Sequence, residues 1–245
     1  MLMKFFRYSL WASLFASFCF SSIVLASSKP DSPLSLSELL SPSLIAKTLN
    51  LDETEFTLVD LHLYAKTAAI LVQQLEYLPS LERRQANLSE LAEQRQVKHL
   101  KGAAELETLL SSTQVIEAIE QTIEPYGLGV NNIADAYTLW WITAWQASEG
   151  ELSKIDRQTV QAVKRQAMLI WLANPKLVQA TDAHKQAIAE ALLIQALLTQ
   201  AAISKAGDDQ DAKQVVMEAV RQGAASSGLA LEQMQLTAQG FVIKP

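Results

Sequence analysis

Cysteine is almost missing from this chain: Cys19 is the only one among 245 residues. A lone thiol forms no intramolecular disulfide, so the fold must rest on its core. Histidine is nearly as scarce, with only His62, His99 and His184. No two of them stand at the i, i+4 spacing of a zinc-binding helix, and no metal site is expected. The eight glycines build no phosphate-cradling loop. Gly127-x-Gly129 lacks both a third glycine and a preceding strand. The serine-nucleophile signature G-x-S-x-G is absent too, and no cofactor is implied. Basic residues are outnumbered, 20 Lys and Arg against 26 Asp and Glu, and they form no cluster. Nucleic acid is therefore not an expected partner, since its binding is driven by phosphate neutralisation. Adhesion to anionic lipid is not expected either. No stretch alternates β-branched and polar residues over strand length, which leaves an all-α chain.

What is present begins with an export signal over residues 1–26. Lys4 and Arg7 form a positive start, Ser9–Leu25 is an uncharged and largely apolar run, and Val24-Leu25-Ala26 supplies small −3 and −1 residues. Cleavage after Ala26 is expected, with a periplasmic or secreted destination. An uncleaved anchor is the alternative, because the run is near the lower limit for a membrane span. Membrane contact is expected only in that case. Ala16-Ser17-Phe18 before Cys19 is not a lipobox. Loss of residues 1–26 removes two basic residues and the cysteine, so the net charge moves from −6 to −8 and 219 residues remain. Residues 27–34, SSKPDSPL, read as a disordered linker. Residues 35–245 read as one helical domain with one substantial core.

Helix signals then follow one another. Ser35-Leu36-Ser37-Glu38 is a capping box, and Thr57 with Asp60 opens a helix to about Tyr77 that Pro79 ends. Residues 80–101 are charged and mixed, and read as a solvated helix or connector. Within them Asn87-Leu88-Ser89 fits a glycosylation sequon, a pattern that chance often supplies. Thr113 caps Gln114–Glu124, with Ile116, Ile119 and Ile123 inward and Pro125 closing it. Ser153 with Asp156 caps a helix whose buried stripe is Val160, Val163, Ala167 and Ile170, and Asn174-Pro175 ends it. Thr181–Ala206 is the longest helix, and Asp211–Gln222 the last. Gly223–Gly228 reads as a loop, and Leu236–Phe241 as a tail that docks Phe241 on the bundle. The expected architecture is one bundle of about six to eight helices.

Its centre is Asn131–Glu149, which holds three of the five tryptophans. Asn132 is the N-cap, and Asp135 is placed to reach back to the cap's amide, with Gly150 as the C′ residue. Ile133, Tyr137, Trp141 and Trp145 recur every four residues, with Trp140 and Ala144 beside them. A helix apolar around most of its girth is buried on most sides. Core packing is the preferred reading of these aromatics, and a pocket for an apolar or sugar-like ligand is the rival.

Candidate chemistry is thin. Asp60-x-His62 and Asp182-x-His184 resemble acid–base pairs, but residues two apart on a helix do not face each other. Asp208-Asp209-Gln210-Asp211 lacks the alternating ligand spacing of a calcium loop and suits a helix N-terminus instead. Glu149 and Glu151 flank Gly150 beside the aromatics. They are the weak catalytic candidates, as a carboxylate pair for hydrolysis of cell-wall or carbohydrate material.

Tyr126-Gly127-Leu128, Asn131-Asn132-Ile133-Ala134-Asp135-Ala136-Tyr137, Trp140-Trp141 and Ala144-Trp145 together resemble a family of uncharacterised secreted bacterial proteins. That family is known only as a domain of unknown function. Leu236-Thr237-x-x-Gly240-Phe241 is similar to its C-terminal signature, and the resemblance spans roughly Phe56–Phe241. It implies export and brings no activity or catalytic residue. The leading expectation is a non-enzymatic envelope protein that binds a partner protein or a small ligand. A periplasmic hydrolase is the alternative, and a membrane-anchored scaffold follows if the signal is retained.

Overall fold

The computed structural model describes residues 72–94, 114–172 and 175–244. The expected signal, the linker, the helix starts at Ser35 and Thr57, and His62, His99, Thr113 and Asn174 lie outside the described residues. Within them stand α1 (Leu81–Gln94), α2 (Gln114–Ile123), α3 (Ile133–Ser148), α4 (Arg157–Leu172), α5 (Pro175–Val178), α6 (Asp182–Ala206) and α7 (Gln210–Ser226). Single 3-10 turns occupy Glu124–Tyr126 and Leu231–Gln233, followed by β1 (Met234–Thr237) and β2 (Gly240–Ile243).

The helix α3 is the axis of the bundle. Of its residues only Tyr137, Leu139 and Trp145 retain appreciable exposure, and α6, α4 and α7 all pack on it. Asn132 caps it, accepting the amides of Ala134 at 2.9 Å and Asp135 at 3.3 Å. At the other end Gly150 takes φ 79°. Its N–H meets the Ala147 carbonyl at 3.1 Å, while the Glu151 N–H meets that of Gln146 at 3.1 Å. This is the Schellman pairing that a C′ glycine permits.

Of the described helices, α6 alone has the length and apolar composition to cross a membrane. In this fold it packs against α3, α1 and α7. Thr181, expected as its first residue, is instead its cap, accepting the His184 amide at 3.3 Å.

Four local expectations are corrected. Residues 81–94 are not simply solvated, for Leu88 and Leu91 are buried and α1 packs on α6. The cap of α4 is Asp156 rather than Ser153: its carboxylate accepts the Thr159 amide at 2.9 Å and hydroxyl at 2.7 Å. Those two hydrogen bonds hold the Asp156 carboxyl below its ordinary value. The last helix runs on to Ser226, through Gly223. A single interior glycine costs a helix about 1 kcal/mol and need not end it. The end comes where Leu229, buried, donates to the Ala224 carbonyl at 2.9 Å. Finally, the docking tail is a two-stranded antiparallel hairpin, pairing Leu236 with Phe241 and Thr237 with Gly240. Met234-Gln235-Leu236-Thr237 does alternate apolar and polar residues, but four residues are the lower limit of that signal and Gly240-Phe241-Val242-Ile243 does not repeat it. The architecture is otherwise the expected helical bundle.

Candidate functional site

The loop before α3 is tied down from two sides. Gln161 donates its amide to the carbonyl of Tyr126 at 2.7 Å and of Gly127 at 3.2 Å, and Lys164 reaches the latter at 3.2 Å. Asp135 does not turn back to the cap as expected; its Oδ2 accepts the Gly129 amide at 2.8 Å. Its Oδ1 lies 2.7 Å from the Lys164 ammonium. Burial pushes the Asp135 carboxyl above its ordinary value, outweighing the pull of Lys164 and of the Gly129 N–H. Asp135 is thus a buried clamp between the loop and α4.

One face of α3 is an aromatic seam. Trp141 stacks on Phe241 at 4.6 Å between ring centres, and Trp145 meets the same ring edge-on at 5.8 Å. Tyr137 touches Trp140 at 5.1 Å and Trp141 at 5.7 Å, and stands edge-on to Trp171 at 5.7 Å. Phe241 is held in register by Gln166, whose carboxamide donates to its carbonyl and accepts its amide, each at 2.8 Å. Gly240 must be glycine here: its φ is 102°, and a Cβ would strike the Gln166 oxygen. The Trp145 indole N–H donates to the Met234 carbonyl at 3.1 Å. Trp140, Trp141, Trp171 and Phe241 are buried, so the rings fill space with one another.

The other side of α3 borders a cavity of about 340 Å³. Leu139, Ile142, Thr143 and Gln146 of α3 face it, with Ile123 and Tyr126 on one side. Thr122, Leu128, Leu152 to Ile155, Val160 and Gln200 complete the lining. Gln146 shapes this wall, since its amide nitrogen donates to the Ser153 carbonyl at 2.5 Å and lies 3.2 Å from its hydroxyl. None of the four tryptophans of α3 and α4 lines the cavity.

The two weak catalytic candidates stand elsewhere. Glu149 is exposed, 3.3 Å from the Lys244 ammonium. Glu151 is exposed in the following loop, and neither belongs to the cavity lining. His184 is exposed at the first turn of α6. Asp209 caps α7 through the Ala212 amide at 3.1 Å, the helix-terminus role expected of that acidic run. Among the described residues no three metal-ligating side chains gather.

A second buried polar set joins α1 to α6. Glu190 is fully buried and accepts from Arg84 at 3.0 Å, Asn87 at 2.7 Å and Gln186 at 2.9 Å. Gln186 also brackets the Ser80 backbone, donating at 2.8 Å and accepting at 3.0 Å. Nearby, the Tyr77 hydroxyl donates to the Val130 carbonyl at 2.8 Å, and burial, with help from Glu190, pushes its pKa above the ordinary value. Every oxygen of Glu190 is matched, which suits a structural joint. The sequon's Asn87 is part of that joint.

The model of a family of unknown function, DUF6683, matches residues 65–244, and so takes in α1 to α7 and the hairpin. This chain belongs to DUF6683. The match begins later than the expected Phe56 and runs past Phe241. No match was found among curated proteins or among solved structures.

In this DUF6683 chain the aromatic residues singled out from sequence, Tyr137, Trp140, Trp141, Trp145 and Phe241, do come together. Trp171 joins them unexpectedly, although it follows Ala167 by four residues and shares its face. Arg84, Asn87, Gln186 and Glu190 were missed. A glutamate inside the run Ala187-Ile188-Ala189-Glu190-Ala191-Leu192 was the available signal, because burial of a charge requires a partner. The cavity carries no sequence signal beyond the small and aliphatic character of Leu139, Ile142 and Thr143.

Proposed function

We propose that this chain is an exported, non-catalytic binding protein of the cell envelope whose small ligand occupies the cavity beside α3. The observation that carries the reading is the cavity itself. Its volume, about 340 Å³, falls within the range of about 300–1,000 Å³ usual for ligand sites. Half of its lining is aliphatic, from Ile123, Leu139, Ile142 and their neighbours, and the polar groups set among them could orient a ligand. Export is supported by the basic start, apolar run and Ala26 cleavage signal of residues 1–26. The hydrolase alternative has less support, because Glu149 and Glu151 are exposed and neither lines the cavity. A scaffold held at the membrane requires an intact signal segment.

Two measurements test the proposal. The intact mass of the exported protein should begin at Ser27; a retained first segment would favour the anchored scaffold. Calorimetric titration of the mature protein with small amphiphiles should give saturable binding that Leu139→Trp abolishes. Binding unchanged by that substitution would place the ligand elsewhere.

A further inference from the structure

The cavity lining mixes aliphatic and polar side chains. Leu139 and Ile142 of α3 and Ile155 of the following loop present only hydrocarbon. Thr143, Gln146 and Lys154 supply polar atoms. Thr143 is buried in the wall, and its hydroxyl has no hydrogen-bond partner among the described residues. Gln146 binds Ser153, so the loop that carries Lys154 is fixed to α3 rather than left to itself.

Lys154 is the one charged residue in the lining. Among the described residues no carboxylate pairs with it. The acids of the same loop are engaged or turned elsewhere: Glu149 meets Lys244, Asp156 caps α4, and Glu151 lies outside the lining. A chain of net charge −6 thus presents an unopposed ammonium at this cavity. Charge complementarity then selects the sign of the ligand.

From this we infer that the cavity takes a free medium-chain aliphatic anion, with its tail on Leu139, Ile142 and Ile155 and its head toward Lys154 and Thr143. The inference rests on the ligand-site reading above. Size agrees: at the ~30 Å³ share of a water-sized group, about 340 Å³ holds about eleven non-hydrogen atoms. An eight-carbon carboxylate is of that size.

The test compares octanoate, 1-octanol and octylammonium on the mature protein by calorimetry. Octanoate should bind about threefold tighter than 1-octanol, a modest factor because Lys154 is exposed. Octylammonium should bind most weakly. Lys154→Met should erase the preference for octanoate over 1-octanol. Leu139→Trp should remove all binding, with Ile142→Phe as a second filling variant if the first does not fold. Equal binding of all three probes, lost on filling, overturns the anion and leaves the ligand site standing. Saturable binding of none overturns both, and octanoate preference that survives Lys154→Met overturns the assigned head group.

Discussion

On one face of α3, Trp141 stacks on Phe241 at 4.6 Å and the space is full. About half a turn around the same helix, Leu139, Ile142 and Thr143 border about 340 Å³ of open volume. The contrast comes from what distant chain supplies to each face. The hairpin swings Phe241 in, Gln166 locks its backbone, and α4 adds Trp171, so large rings meet large rings. The opposite face receives a loop of moderate side chains tied to α3 through Gln146. Dense aromatics therefore mark the core of this protein, and the quieter face carries the opening.

Substitutions can break this contrast. The largest effect belongs to Trp141→Ala, which should cost about 3–5 kcal/mol in urea unfolding, the usual range for a buried Trp. Leu139→Ala on the half-buried cavity face should cost about 1 kcal/mol or less, because open space already adjoins it. Similar losses for the two would show that both faces are equally packed. Asn132→Ala removes the cap beneath both faces and should cost about 1 kcal/mol. No change there would mean that the capping bonds to Ala134 and Asp135 contribute nothing.

Asp135 sharpens the comparison through pH. Burial makes the folded state hold its proton more tightly than the unfolded chain, whose ordinary value is 3.8. Its contribution to stability is therefore fully present below that value and is lost as pH rises through the raised folded value. The stability of the wild type relative to Asp135→Asn should fall as pH rises above 3.8. A rise instead would mean that Lys164 and Gly129 outweigh burial. The smallest effect is that of Glu149→Gln, an exposed group on neither face, expected within about 0.5 kcal/mol.

How much of this was legible in sequence follows from the range of each signal. Capping and termination act over four or five residues, so Asn132, Asp209 and Gly150 could be placed from local pattern. The stripe of Tyr137, Trp141 and Trp145 was equally plain, being one helix face. What failed were pairings between segments. Asp135 fits a capping box locally, yet finds Gly129 and Lys164 once the loop folds over it. Gln166 and Phe241 are 75 positions apart, and Arg84 and Glu190 are 106 apart, beyond any periodicity. The cavity is defined by missing atoms, which no residue pattern records.

The most direct measurement is a nuclear magnetic resonance titration of the mature protein with octanoate, following isoleucine methyl and indole N–H signals together. The account predicts saturable shifts at Ile142 and Ile155, while the indoles of Trp141, Trp145 and Trp171 stay in place. Shifts concentrated on those indoles, with the methyl groups unmoved, would put the ligand in the aromatic seam and contradict the division of α3 into a filled face and an open one.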